Sequence, residues 1–237
     1  MRPSLSDAEI SAFRARLCRV AERLFAERGF PAVSMRHLAS ALGCSATAAY
    51  RYFQDKEEIL AAVRTAAFDR FADRMESAAK GAPGARQHGL ALGAAHLDFV
   101  RAEPHAYRLM FDLTQPDESR YPELQRASAR TTRVMTAWVE ELLREGVVRG
   151  DPERLAWVFW ASSHGLAVLH LAGKLPPGFD LMDAQREMMR LLARGTRAER
   201  GGSRKAKPAG KGQGRRAPPG SDEPRLARRK VPPPRRS

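Results

Sequence analysis

The chain has 237 residues, with 41 Lys+Arg against 27 Asp+Glu, two cysteines and a formal charge of +14 at pH 7. Residues 197–237 carry 14 basic and 3 acidic side chains, a net of +11, which leaves only +3 for residues 1–196 and places the basicity in a tail. Cys18 and Cys44 are too few for a disulfide framework and stand in no cluster with zinc-ligand spacing, and MRPSLSDAEI lacks the apolar stretch of a secretory signal, so a reducing, cytoplasmic setting is expected.

Strand signals are nearly absent and helical periodicity runs through the first 196 residues, which predicts an all-α fold. Ile10, Phe13, Leu17, Val20, Leu24 and Phe25 form one stripe, with Asp7 as the expected N-cap and Gly29 as the stop. Ser34 caps a second helix that carries Met35, Leu38, Ala39 and Leu42 to a break at Gly43. Ser45 caps a third, Ala46 to Phe53. Asp55 starts a fourth, with Glu58 as the capping-box partner and the stripe Ile59, Leu60, Val63, Ala67 and Phe71 reaching about Ala79.

GAPG at 81–84 is the expected domain boundary. Beyond it, helices are expected near 85–101, 104–113, 121–146, 152–172 and 180–196, punctuated by Pro104, Pro116, Pro122, Pro152, Pro176 and Pro177. The stretch 155–173 runs 19 residues without a charge, close to the length that spans a bilayer. Its Ser162, Ser163, His164, Gly165 and His170 favour a helix buried among others or in a dimer interface over a membrane span. After Gly195 the chain is mostly Gly, Pro, Lys and Arg. It has too few large apolar residues to offset its ordering entropy, so 197–237 is expected to be a disordered basic tail.

The second and third helices, joined by the tight turn Leu42-Gly43-Cys44, make a helix-turn-helix. The third is unusual in content: Ala46, Thr47, Ala48 and Ala49 are small, and Tyr50, Arg51 and Tyr52 follow. Small side chains let a helix approach base edges in the major groove, and polar tips behind them reach phosphates.

On these residues, and above all on SMRHLASALGCSATAAYRYFQDKEEIL from Ser34 to Leu60, the chain resembles the DNA-binding domain of the tetracycline-repressor (TetR) family of bacterial regulators. The resemblance rests on Gly43, Ser45, Tyr50, Tyr52 or Phe53, and Lys56 in order. It implies base contacts from Ala46, Thr47 and Ala48 beside the Ser45 cap, with Arg51 as the long reader of a guanine. It also implies phosphate contacts from Tyr50, Tyr52 and Lys56 and a flanking backbone contact from Arg36; core packing is the plainer reading of Tyr50 and Phe53, and is favoured for Phe53. Two departures from the family pattern stand out. Ala49 occupies a position that often holds Leu, and His37 occupies the place of an acidic capping-box partner.

Residues 85–196 resemble a C-terminal ligand-binding and dimerisation domain of that family marked by Trp, three residues, His-Gly, here Trp160, His164 and Gly165, with PHAYRLMFD from Pro104 to Asp112 as a second match. The architecture expected is an N-terminal three-helix helix-turn-helix domain (1–80) and an antiparallel helical bundle (85–196) that dimerises through its last two helices. His96, Phe99, Tyr107, Met110, Phe111, Trp138, Trp160 and His164 are the candidate pocket residues for a small apolar or amphipathic effector. Aromatic and Met residues at helical spacing also serve as plain core, and His164 as a satisfied core histidine.

The partners expected are double-stranded DNA, read as a near-palindrome by a homodimer, and the effector, with no membrane and no cofactor or metal. No GxSxG, HExxH, Walker A or GxGxxG occurs, which argues against an enzyme. A ligand-responsive repressor is the favoured function. The rival is an architectural DNA binder driven by the tail's Lys and Arg clusters.

Overall fold

The computed structural model describes residues 6–112 and 117–195; the basic tail lies outside the described residues. Among the described residues the chain forms nine α-helices and one short 3-10 turn, with no strand. Helix α1 (Asp7–Arg28) is capped by Ser6, whose hydroxyl accepts from the Glu9 amide while the Glu9 carboxylate accepts from the Ser6 amide at 2.8 Å. The expected Asp7 cap is thus displaced by one residue, because only Ser6 has a Glu three positions on. Gly29 ends α1 at φ 80°.

Helices α2 (Met35–Ala41) and α3 (Ala46–Tyr50) follow, separated by the turn at Gly43, φ 74°. Helix α3 is shorter than the expected Ala46–Phe53, since the chain tightens into i→i+3 hydrogen bonds at Arg51 and Tyr52. Helix α4 (Lys56–Lys80) is capped by Asp55 through the Glu58 amide at 2.8 Å. The box expected there is half formed: the Glu58 carboxylate turns instead to the Gln54 amide at 2.7 Å and the Arg14 guanidinium at 3.0 Å.

The second half comprises α5 (Gly84–Ala102), α6 (Pro104–Met110), the 3-10 turn Glu118–Arg120, α7 (Pro122–Arg144), α8 (Pro152–Leu171) and α9 (Leu181–Gly195). No described helix is long and apolar enough to cross a membrane, the uncharged α8 included.

Two hydrophobic cores organise these helices. Around Leu17, Leu24, Phe25, Leu38, Ala49 and Phe53, the first three helices close on Ile59, Leu60 and Val63 of α4 and on Leu109 of α6. Around Phe71, Phe99, Tyr107, Trp138, Val139 and Phe159, helices α5 to α8 close on the rest of α4. The GAPG break falls between α4 and α5, but the two cores meet earlier, along the first turns of α4. Helix α7 is strapped to α4 from outside by Arg130, whose guanidinium reaches Glu76 at 2.7 Å and Asp73 at 2.6 Å.

The contact between α5 and α7 depends on a missing side chain. A Cβ on Gly89 would lie 2.5 Å from the Trp138 ring, and that ring cannot swing aside because its Nε1–H donates to the Ala85 carbonyl at 2.8 Å. Gly89→Ala gains about 1 kcal/mol of helix propensity and loses about 1–3 kcal/mol to overpacking. The expected result is a lower thermal midpoint by circular dichroism, and an unchanged or higher one would show that Trp138 repacks freely.

Candidate nucleic-acid interface and effector cavity

Ala49, fully buried, anchors α3 in the first core. Its neighbours on α3 are less deeply placed. Thr47, Tyr50, Arg51 and Arg36 are exposed, Tyr50 at 54%. Ala46 and Ala48 are half-buried, and Ser45 caps α3 by accepting from the Ala48 amide at 3.2 Å. The first turn of α3 therefore presents little beyond backbone, Thr47 and the cap, with Tyr50 and Arg51 reaching out behind. Such a surface can lie flat in a groove.

Other expected contact residues have duties inside the protein. Tyr52 is half-buried and stacks on Phe13 at 4.0 Å, while its carbonyl accepts from Arg14. Lys56 donates to the carbonyls of Phe30 and Val33, both at 3.0 Å, and its ammonium lies 4.2 Å from the Phe30 ring centroid. That geometry makes Lys56 a latch on the α1–α2 turn. Phe53 is core, as its apolar character suggests. His37 completes the α2 capping box through Nδ1, which accepts from the Ser34 amide at 3.3 Å. An imidazole lone pair replaces the carboxylate there.

In the second core the structure joins His96, Tyr107 and His164 into one chain. The Tyr107 hydroxyl lies 2.9 Å from His96 Nε2 and 2.8 Å from His164 Nδ1. A hydroxyl donates one proton, so one ring offers a lone pair and the other an N–H. Trp160 stacks on His164 at 6.0 Å between centroids, and Phe111 meets the same ring edge-on at 4.8 Å.

Burial, with the nearby His164 charge as a lesser cause, pushes the His96 pKa down to about 3. Burial also lowers that of His164 and raises that of the Tyr107 phenol. The chain of hydrogen bonds is neutral at pH 7, with His96 and Tyr107 buried and His164 half-buried.

The cavity lies beside this chain and not in it. Its volume is about 210 Å³, and it is lined by Phe68, Phe111, Ser128, Thr131, Thr132, Met135, Ala156, Trp157 and Trp160. Of the residues expected in a pocket, Phe111 and Trp160 line it. Phe99, Tyr107, Met110 and Trp138 are packed into the core, and His96 and Trp138 border only a void of about 10 Å³. Sequence reasoning passed over Ser128, Thr131, Thr132 and Met135. Their spacing of three, four and seven residues on α7 is the one-face signature of a helix.

The buried histidine makes acid stability predictable. Unfolded, an imidazole takes a proton near pH 6.5, whereas folded His96 refuses it until about pH 3. The unfolded state therefore binds more protons between those values, and the stability present above pH 6.5 is lost progressively as pH falls toward 3. The slope is at most about 1.4 kcal/mol per pH unit for this site. Urea unfolding at pH 7.5 and 5.0 should show this loss, and His96→Phe should reduce it; an identical loss in the variant would reject His96 as the source.

Comparison with known proteins agrees with both halves. The family model described as bacterial regulatory proteins, tetR family, matches residues 17–63, and that described as tetracyclin repressor-like, C-terminal domain, matches 90–194, including Trp160, His164 and Gly165. The HTH-type transcriptional activator FasR of Mycolicibacterium smegmatis is 29% identical over 106 residues, covering 44% of this chain and 48% of that relative, so the chain spans about half the length of the curated relative it matches. A solved protein of unknown function from Rhodococcus sp. RHA1 has 25% identity and a TM-score of 0.69, over 84% of this chain and all of that one. A TetR/AcrR-family transcriptional regulator from Thermobifida fusca has 25% identity and a TM-score of 0.57, over 79% and 100%. With two family models covering the helix-turn-helix and the helical bundle in turn, the chain belongs to the TetR family of bacterial transcriptional regulators.

Proposed function

We propose that this protein is a homodimeric repressor that binds a near-palindromic DNA operator through α3 and releases it when a small molecule fills the α4–α7–α8 cavity. The observation that carries the reading is the continuity of α4: its N-terminal turns pack against α1 to α3, and Phe68, farther along the same helix, forms part of the cavity wall. Occupancy of the cavity can then shift the helix-turn-helix by linkage, provided the ligand prefers one arrangement over the other.

Ser45, Ala46, Thr47 and Ala48 are the groove-facing residues in this reading. Arg51 reads a base, and Tyr50 and Arg36 hold phosphates. Tyr52 and Lys56 serve as positioning residues. Helices α8 and α9 supply the dimer surface. Trp157, Val158, Val168, Leu169 and Leu191 are large apolar side chains left exposed there, and a Cβ on Gly165 would meet nothing within 4 Å. A two-fold pairing of such a patch gives two reading helices and hence a palindromic site.

Selection from a random duplex pool with the full chain, at near-physiological salt, tests the reading. A shared near-palindrome is expected. Enrichment of no motif, with coating of all DNA, would favour a tail-driven architectural binder instead. On the selected site, Arg51→Ala should cost ~1–3 kcal/mol and relax one base position, whereas Tyr50→Phe should weaken all sequences alike. A reporter behind the selected site should rise when the regulator is deleted; a fall would make it an activator, as FasR is named.

A further inference from the structure

We propose that Arg14 is a positioning residue for DNA recognition: from α1 it holds the C-terminal end of the reading helix α3, and so sets how sharply α3 tells one sequence from another. The proposal rests on the reading of bases by α3 above and names a residue outside the helix-turn-helix on which that reading depends.

Packing alone leaves the pose of α3 underdetermined. Of its five residues only Ala49 is buried, and a methyl group offers a core little surface to grip. The N-terminal end is fixed by the backbone of the preceding turn, where the Cys44 amide donates to the Ala39 carbonyl at 2.9 Å and the Gly43 amide to the Ser40 carbonyl at 3.0 Å. The C-terminal end runs into the five-residue connection to α4. What holds that connection comes from α1.

Half-buried Arg14 secures three consecutive residues there. Its guanidinium donates to the Tyr52 carbonyl and lies 3.9 Å from the Phe53 ring centroid. It also donates to Glu58 Oε1 at 3.0 Å, while Glu58 Oε2 accepts from the Gln54 amide at 2.7 Å. A planar fork can serve a carbonyl and a carboxylate while its face covers a ring, which the single ammonium of a lysine cannot do. Beside it on α1, Phe13 stacks on the Tyr52 ring at 4.0 Å between centroids.

Tyr50 and Arg51, the long side chains of the reading surface, stand at the end that Arg14 holds. With the other end fixed at the turn, loosening the connection displaces these two most. Attraction to a phosphate tolerates such displacement, whereas a bidentate contact to a base edge does not. Loss of Arg14 therefore costs discrimination before it costs general affinity for DNA.

The test uses the full chain and two duplexes, the one selected from the random pool and a scrambled duplex of the same length and composition. Affinity for each is measured by fluorescence anisotropy over a range of salt concentrations, and circular dichroism checks that each variant is folded at the assay temperature. Arg14→Gln should lower affinity for the selected duplex about tenfold, the scale of one lost charge-assisted hydrogen bond, and for the scrambled duplex less than about twofold, with the salt slope unchanged. Arg14→Lys, which keeps the charge and loses the fork, should lose discrimination to a similar extent. Glu58→Gln, which removes the counter-charge, should lower discrimination about threefold. Arg19→Gln, which removes one positive charge from an exposed site on the same helix, should discriminate as the parent does.

Parent-like discrimination in Arg14→Gln, full rescue by Arg14→Lys, or the same fall in Arg19→Gln would each overturn the proposal. So would equal losses on both duplexes with a salt slope shallower by about 0.9, the mark of a direct phosphate contact. Should Arg14→Gln not fold, parent-like discrimination in Glu58→Gln overturns it instead. Failure of the underlying reading looks different: selection with the parent chain then enriches no sequence, and both fall together. Discrimination in the parent that survives in the Arg14 variants rejects the positioning role alone.

Discussion

Helix α4 must satisfy two cores with one rigid rod. Ile59, Leu60 and Val63 are buried among α1 to α3, and Phe68, Phe71 and Met75 among α5 to α8. A sharp kink in an α-helix needs a proline, a bulge or a similar defect, and α4 contains no proline. A displacement of its middle is therefore carried to its N-terminal end, where Asp55 caps it and Lys56 latches it to the α1–α2 turn. The placement of α3 is tied to that of α4, because only five residues separate the two helices.

Helix α6 repeats the arrangement in miniature. Leu109 belongs to the first core, Met110 to the second, and Phe111, next in the chain, lines the cavity. Arg64 ties this end of α6 to α4 through the Met110 carbonyl. Burial of this guanidinium is offset by that hydrogen bond and by the ion pair with Glu118. Two short routes thus lead from the cavity to the helix-turn-helix, one along α4 and one across α6. What passes along them is set by the ligand's differential affinity for the two arrangements, and a ligand that binds both equally shifts nothing.

Most of the helix order was legible in the sequence because caps and stops are local. Ser34, Ser45, Asp55 and Gly29 do in the fold what their side chains or backbone freedom suggest. The misplacements also had local causes: Ser6 takes the cap from Asp7 because Glu9 can reach back, and Glu58 leaves half of its box because Arg14 and Gln54 draw it away. The second of these requires a partner 44 residues distant, which periodicity does not show. The cavity was the least legible part. Hydrophobic and aromatic content marks where packing is dense, and so it pointed to Phe99, Tyr107, Met110 and Trp138, all of which are packed. A cavity is a place where packing fails, and Ser128, Thr131 and Thr132 on its wall carry no apolar signal.

The neutral His96–Tyr107–His164 chain and the uncharged cavity wall express one electrostatic condition. The interior that holds the His96 pKa near 3 does so by removing water without supplying a compensating carboxylate. Any ionised group buried as deeply would meet the same penalty, still several kcal/mol per charge after relaxation. Hydrogen-bonding groups escape the penalty when paired, which is why Tyr107 can lie fully buried between two imidazoles. The hydroxyl of Thr131 and the Oε1 of Gln185 are buried groups whose pairing is left open among the described residues. Charge is thus kept out of the packed interior around His96, whereas polar groups are admitted there when a neighbour pairs them.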